Sequence, residues 1–193
     1  MKTMPDKQTG IDEVELIQQC KKGDMHSFQN LYELFKDRTF STAIRMLDSP
    51  QDAEKATQDI FIQVFRHLNT FRGDSSLSTW IYKITINTCH NKLRKIRHPD
   101  AEDLPDSDNQ NLTLDFKGKP PSTIQWVIEQ EITQLPARYM SVFILHEIEG
   151  FTHKEIAEIM NIAAGTSRSQ LSIAKSILRT KLIPYLEVFR DAM

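Results

Sequence analysis

The chain has 193 residues, 39% of them apolar, and a formal net charge of −2. That is room for two small domains or one medium one, and the near-neutral balance means that any case for a nucleic-acid partner must rest on how charge is distributed. Cys20 and Cys89 stand far apart with no Cys or His neighbour at metal-ligand spacing, which argues for small buried thiols in an intracellular protein and against a metal centre. No apolar run approaches the roughly 20 residues of a membrane span, and the polar start MKTMPDKQTG has no signal-peptide core. A cytoplasmic protein without membrane insertion is expected.

Residues 1–10 read as a disordered lead. Asp12 can cap a short helix over Val14, Leu16, Ile17 and Cys20 that ends at Gly23. A second helix opens near Asp24 and puts Phe28, Leu31, Tyr32 and Phe35 on one face, steps of three and four that are helical rather than strand-like. It continues through Ala43, Ile44 and Leu47. Ser49 then supplies a cap, Pro50 a first helical position and Asp52 an acid where a capping box would hold one. This third helix turns Ala53, Ala56, Ile60, Phe61, Val64, Phe65 and Leu68 toward a core and leaves Asp52, Glu54, Lys55, Gln58, Asp59 and Ile62 for other faces. FRGDSS (71–76) is a loop, with Ser75 or Ser76 as the next cap. A long helix follows from Leu77 to about Lys95, with Trp80, Ile81, Ile84, Thr88 and Leu93 marking its buried side. Residues 83–97 hold Lys83, Lys92, Arg94, Lys95 and Arg97 and no acid.

The composition changes at His98. Residues 98–121 lose periodicity and carry prolines, a glycine and the acids Asp100, Glu102, Asp103, Asp106, Asp108 and Asp115, which reads as a flexible acidic linker. A second domain spans about 122–188. Ser122 or Thr123 caps a helix bearing Ile124, Val127, Ile128 and Ile132, and Leu135-Pro136 breaks it. The next helix carries Tyr139, Val142, Phe143 and Leu145 and closes near Gly150. Thr152 to Glu155 is a T-x-x-E capping box whose helix buries Ile156, Ala157 and Met160. Residues 161–166 form a turn, with Gly165 breaking any single helix across 152–180, and Thr166 or Ser167 caps a last helix that buries Leu171, Ala174, Ile177 and Leu178. The fold class expected is all-α: two small helical domains, the second a helix-turn-helix.

A helix-turn-helix sets its second helix in the major groove with early residues near base edges. Residues 165–181 contain Arg168, Lys175, Arg179 and Lys181 and no acid, with Ser167, Ser169, Gln170 and Ser172 as short or amide donors. Gln can pair bidentately with adenine and Arg with guanine, while Thr152, His153 and Lys154 open the preceding helix near backbone phosphate. In the first domain a small-polar loop, an exposed aromatic (Trp80 or Tyr82) and a cationic helix make a place for unstacked single-stranded bases. Partial packing of Trp80 into the core, one turn before Ile84, competes with that role. Chemistry is not expected. The six histidines are scattered without H-x-x-x-H, no C-x-x-C occurs, and six glycines form no phosphate loop. No catalytic residue, cofactor or metal is anticipated.

Three stretches, SPQDAEKATQDIFIQVFRHLNTFRGDSSLSTWIYKITINTCHNKLRK (49–95), LPARYMSVFILHEIEGFTHKEIAEIM (135–160) and GTSRSQLSIAKSILR (165–179), resemble the extracytoplasmic-function (ECF) group of bacterial RNA polymerase sigma factors of the sigma-70 family. They cover nearly half the chain in the family's order. The resemblance implies that residues 11–97 are a sigma region 2, residues 98–121 the connector and residues 122–188 a sigma region 4. It implies promoter recognition, melting and initiation by a dissociable specificity subunit that is not itself an enzyme. On the third helix, Asp52, Glu54, Gln58, Asp59 and Ile62 correspond to the surface that grips the clamp helices of the polymerase's largest subunit. Arg72, Ser75, Ser76, Leu77, Trp80, Lys83, Asn87 and Asn91 correspond to the part that melts the −10 element and holds a flipped base. Lys92, Arg94, Lys95 and Arg97 correspond to backbone contacts. For the −35 element the matching positions are Thr152, Lys154, Thr166, Ser167, Arg168, Gln170, Leu171 and Lys175. Core polymerase, with the flap of its second-largest subunit, promoter DNA and an anti-sigma factor are the implied partners.

The family's recognition helix usually reads like GTVKSRLHRARKLL, and here its Val, Arg, His and Arg give way to Ser167, Gln170, Ser172 and Ile173. Fewer charges imply fewer phosphate contacts and a shallower salt dependence, since each neutralised phosphate contributes about −0.9 to the log–log slope. Two other readings of the residues stand beside the resemblance: a regulator that binds duplex DNA without polymerase, and a helical scaffold that sequesters a partner. Binding of residues 49–95 to core polymerase separates the first from a sigma factor, and loss of DNA binding in every context, even with core, would mark the second.

Overall fold

The computed structural model describes residues 13–97 and 124–191, and every regular element in them is helical. The linker 98–121, the caps Asp12, Ser122 and Thr123, and the Arg97 side chain lie outside the described residues.

The first half holds α1 (Glu13–Lys21), α2 (Met25–Leu47), α3 (Pro50–His67) and α4 (Leu77–Arg97). Their starts follow the capping residues read from the sequence. Asp24 accepts the Ser27 N–H at 3.0 Å to open α2, and Ser49 accepts the Asp52 N–H at 3.3 Å with Pro50 in the first turn of α3. Ser76 opens α4 by accepting the Thr79 N–H at 3.1 Å. Helix α2 stops where Asp48 turns left-handed and gives its N–H back to the Ile44 carbonyl. Leu31, Phe35, Ala53, Ala56, Ile60, Phe61, Val64, Ile81 and Ile86 fill the interior between α2, α3 and α4.

The second half holds α5 (Ile124–Thr133), α6 (Ala137–Phe143), α7 (His153–Met160) and α8 (Ala164–Asp191). α5, α6 and α7 all pack on α8. Helix α6 does not end cleanly: Ile144–Ile148 widen into a π turn, with the Glu149 N–H bonded to the Ile144 carbonyl at 2.9 Å. Gly150 then adopts φ +80°, a conformation costly for any residue with a Cβ, and this bend sends Glu149 and Phe151 inward. The Thr152–Glu155 capping box is formed on both sides and opens α7.

Particular elements depart from the sequence reading. Phe65 is half exposed, lying edge-on to Phe28 with centroids 4.9 Å apart, because it sits one step beyond the stripe of Phe61 and Val64. Ile159 rather than Ala157 or Met160 joins Ile156 in the core. The break between α7 and α8 falls at left-handed Asn161, not at Gly165, which lies inside α8. That helix begins at Ala164, ahead of the expected Thr166 or Ser167 cap, and runs through Pro184 to Asp191.

The largest difference concerns the two halves. The sequence suggests separate bodies on a tether; the structure lays α4 along α7 and α2 against α5 and α6, and one apolar interior runs through both. Tyr82, a candidate exposed aromatic, is fully buried at this seam. Its ring meets Phe151 edge-on at 4.7 Å and its hydroxyl donates to Glu149 at 2.6 Å. Burial, and secondarily the Glu149 carboxylate, push the Tyr82 phenol well above its ordinary range, so it remains a donor.

Candidate nucleic-acid interface

Helix α4 presents a polar stripe. Lys83, Asn87, Asn91 and Lys95 recur every four residues and are all exposed, so they share one face. Trp80 lies on the same side, half-buried, with its ring tilted against Phe71 at 5.3 Å. Part of the indole packs and part remains available, so the two expected fates of Trp80 coexist. Arg72 is exposed in the loop before α4, which is tied to α1 by a 2.6 Å bond from Lys21 Nζ to the Phe71 carbonyl.

Other residues expected on this face do structural work. Leu77 is buried and its N–H donates to Glu13 at 3.2 Å. Ser76 is exposed yet committed to capping, donating its hydroxyl proton to Thr79 Oγ1 at 2.9 Å, while Ser75 is half-buried. Lys92 forms an ion pair with Asp59 at 2.8 Å, and Arg94 donates to Asn91 at 3.4 Å.

Along α3, Glu54, Gln58 and Ile62 also recur every four residues and are exposed, with Asp59 beside them; Asp52 is half-buried as part of the N-terminal turn. Exposed Ile62 and Phe65 flank these carboxylates and amides. A face that mixes acids with apolar side chains suits a protein better than a phosphate backbone. A cleft of about 360 Å³ joins the faces of α3 and α4, lined by Asp59, Ile62, Gln63, Arg66, Thr88, Asn91, Lys92 and Lys95. Gln63 closes its floor by donating to Thr88 at 3.0 Å. The sequence reading singles out neither Gln63 nor Arg66 and assigns Phe65 to the core; the four-residue spacing from Ile62 to Arg66 is the signal that could have found Arg66.

On the second half, Thr152 and Lys154 are exposed at the start of α7, and Thr166, Arg168 and Lys175 are exposed on α8. Arg168, Ser172, Lys175 and Arg179 follow steps of four, three and four, one exposed stripe. Gln170 is half-buried. Ser167 and Leu171, expected at the DNA, point into the domain. Leu171 belongs to the apolar face that packs against α5–α7, and Ser167 is held by His153 Nδ1 at 2.9 Å. A serine thus occupies a buried position where the family usually has valine, and the His153 hydrogen bond compensates its hydroxyl. The His146 ring stacks on His153 at 4.4 Å, and burial, then the charges of His146 and Arg168, lower the His153 pKa. Lys175 pairs with Glu147 at 2.8 Å.

No group of acids, cysteines and histidines able to hold a metal occurs among the described residues, and no described helix is long and apolar enough to cross a membrane.

Two helical domains, one with an exposed stripe of amides and lysines beside a half-buried indole and one with a helix-turn-helix, define a protein of transcription. Family models agree: sigma-70 region 2 matches residues 31–98 and sigma-70 region 4 matches residues 125–178. The RNA polymerase sigma-H factor of Pseudomonas aeruginosa is 31% identical over 182 residues, spanning 89% of this chain and 94% of that one. ECF RNA polymerase sigma factor SigW of Bacillus subtilis is 29% identical, spanning 86% and 94%. Among solved structures, CnrH in complex with the cytosolic domain of CnrY superposes with a TM-score of 0.66 at 16% identity, covering 88% of this chain and 96% of that one. The sigma factor RpoE of Bartonella quintana, in complex with the anti-sigma factor NepR, gives 0.62 at 23% identity, covering 80% and 96%. These two likenesses carry the fold. The chain belongs to the sigma-70 family of RNA polymerase sigma factors, in its ECF group. It is a dissociable specificity subunit of RNA polymerase rather than an enzyme, and its partners are core polymerase and promoter DNA.

Proposed function

We propose that residues 11–97 melt the −10 element and bind core polymerase, that residues 98–121 connect, and that residues 122–188 read the −35 element as duplex. The observation that carries this reading is the pairing of two differently built polar stripes. Trp80, Lys83, Asn87, Asn91 and Lys95 combine a half-exposed indole with amides and cations, the mixture that holds unstacked bases. Thr152, Lys154, Thr166, Arg168, Gln170 and Lys175 surround a helix-turn-helix whose second helix carries short donors and cations, the mixture that reads groove edges and phosphate. Arg72 and Ser75 flank the flipped base, and Lys92, Arg94, Lys95 and Arg97 neutralise backbone. Ser76, Leu77, Ser167 and Leu171 act by fixing the helices that carry these residues.

Asp52, Glu54, Gln58, Asp59 and Ile62 dock on the clamp helices of the largest subunit, and the second half meets the flap of the second-largest. The acid-and-apolar face of α3 supports the first of these contacts. The structural relatives are complexes with CnrY and with NepR, which supports an anti-sigma factor as a further partner of this chain. A sigma factor works where the polymerase does, in the cytoplasm.

Transcription with purified core polymerase and a library of promoter duplexes, with and without the protein, tests this function. Start sites that appear only with the protein, downstream of a shared −35/−10 pair, are expected. Duplex binding without any protein-dependent initiation would replace it with a regulator that works apart from polymerase.

A further inference from the structure

Two imidazoles meet between the π turn and α7, among the residues proposed to touch the −35 element. The His146 and His153 rings lie 4.4 Å apart, tilted by 40°. Each ring is fastened through Nδ1: His146 to the Phe151 carbonyl at 2.9 Å, and His153 to Ser167 Oγ at 2.9 Å. A carbonyl only accepts, so Nδ1 of His146 carries a proton, and its Nε2 becomes a donor only when the ring is charged. That Nε2 stands 3.9 Å from Glu147 Oε1, beyond hydrogen-bond reach. Nε2 of His153 has no hydrogen-bond partner among the described residues. Both rings are partly open to solvent, His146 with 32% of its side chain exposed. The charges around them are mostly positive. Arg168 and Lys175 act on His153 from α8, and Glu147 acts from the π turn. Glu147 is itself engaged by Lys175 at 2.8 Å. On α7, Lys154 is exposed and Glu155 is committed to the Thr152 capping box. From α4, which packs on α7, Tyr82 is bound to Glu149, and Arg38 and Thr42 of α2 engage the same carboxylate.

We infer that His146 and His153 form a proton-loaded clamp for one backbone phosphate of the −35 duplex, so that binding this phosphate draws a proton from solvent onto the pair. The inference rests on the proposed −35 reading by residues 122–188 and adds to it a contact that pH switches. Without DNA, burial and the cations nearby hold His153 below its ordinary 6.5, so the ring is neutral near pH 7. A phosphodiester reverses that balance. Arg168 and Lys175, which oppose a charge on the ring, attract the anion, and the anion favours the imidazolium. The charged ring then donates through Nε2 in a charge-assisted hydrogen bond, while Nδ1 keeps it aimed. A cation on one ring opposes a cation on the other at this separation, so the two rings titrate as a unit that holds about one proton. The sign follows from linkage. The pair's proton affinity is higher in the complex than in the free protein, so DNA affinity grows as pH falls through the bound-state value and levels off below the free-state value.

Holoenzyme assembled from core polymerase and the full chain would be titrated with two promoter fragments at fixed salt, from about pH 8 to about pH 6. One fragment carries the −35 duplex joined to a −10 element melted in advance; the other carries the melted −10 element alone. As pH falls, wild type should gain about threefold or more in affinity for the first fragment relative to the second. His146→Gln and His153→Gln should each flatten that gain. His146→Arg, which supplies a permanent cation, should bind the −35 fragment more tightly at the alkaline end and respond less to pH, a gain that a misfolded protein does not show. Calorimetry in buffers of different ionisation enthalpy should register uptake of up to about one proton that depends on the −35 duplex. A −35 preference that is the same at every pH, an equal pH response in wild type and both Gln variants, or no proton uptake would overturn the clamp and leave the −35 reading intact. No preference for the −35 fragment at any pH would overturn both.

Discussion

The stripes on α4 and α8 are both polar and both depend on helical spacing, yet the roles proposed for them call for opposite states of DNA. The α4 stripe has Trp80 with only part of its ring packed, and amides at Asn87 and Asn91. The α8 stripe has no aromatic; its exposed side chains are short hydroxyls, Ile173, Arg168, Lys175 and Arg179. An aromatic is useful where a base has left its stack, because every base has a π face. A narrow, short-chained helix is useful where the base pair stays intact and the backbone must approach the groove. The contrast teaches that net charge alone, −2 over the chain, says little about which half does what.

The comparison can be broken most severely at Trp80. Stacking is worth about 1–3 kcal/mol per base, so Trp80→Ala should reduce open-complex formation by roughly tenfold or more, read by permanganate reactivity of the −10 strand. Duplex binding at −35 should hardly change. Arg168→Ala comes next. A bidentate base contact contributes about 1–3 kcal/mol of discrimination, so this variant should lose preference for the cognate −35 sequence in a competition assay while still melting a strong −10 element. If Arg168 served only phosphate, all −35 sequences would weaken alike.

Smaller effects sharpen the picture of a lightly charged reader helix. Ile173→Arg restores a cation at a position where the family usually has one, and should steepen the salt dependence of promoter binding by about 0.9 in the log–log slope. Lys175→Ala should make it shallower by the same amount or less, since Lys175 is already paired with Glu147. An unchanged slope in Ile173→Arg would mean that this side of α8 does not approach the backbone.

The smallest expected effect is a pH dependence. The folded protein lowers the His153 pKa from its ordinary 6.5, so the neutral ring is favoured on folding. Its contribution is complete above about 6.5, falls as pH drops below that value, and levels off once the folded ring also takes a proton. Thermal unfolding followed from pH 7.5 to 5 should show a mild loss at the acid end that His153→Asn flattens. A larger loss in the variant would contradict the assignment.

Much of the architecture was legible because it is written locally. Asp24, Ser49 with Pro50, and the Thr152–Glu155 box each sit within one turn of the N–H they satisfy, and the helices open where these residues predict. Periodicity located Ile60, Val64, Ile81 and Leu178 correctly. It failed at Phe65, which lies at the edge of an apolar stripe where a small rotation decides exposure. Ser167 was misplaced because a buried hydroxyl looks like a surface one until its His153 partner is known. Gly165 was read as a break, although helices tolerate a glycine and left-handed Asn161 makes the turn. Glu149 gave no signal at all: Arg38 stands 111 residues away, and nothing within a turn of either residue announces the pair.

The most direct test pairs the variants with crippled promoters. Initiation by core polymerase would be measured with wild type, Trp80→Ala and Arg168→Ala on an intact promoter, one with a scrambled −35 element, and one melted in advance across −10. The account predicts that the Arg168→Ala defect vanishes once −35 is scrambled, and that the Trp80→Ala defect persists there but shrinks on the pre-melted template. Defects of equal size on all three templates would contradict the division of labour between the two helices.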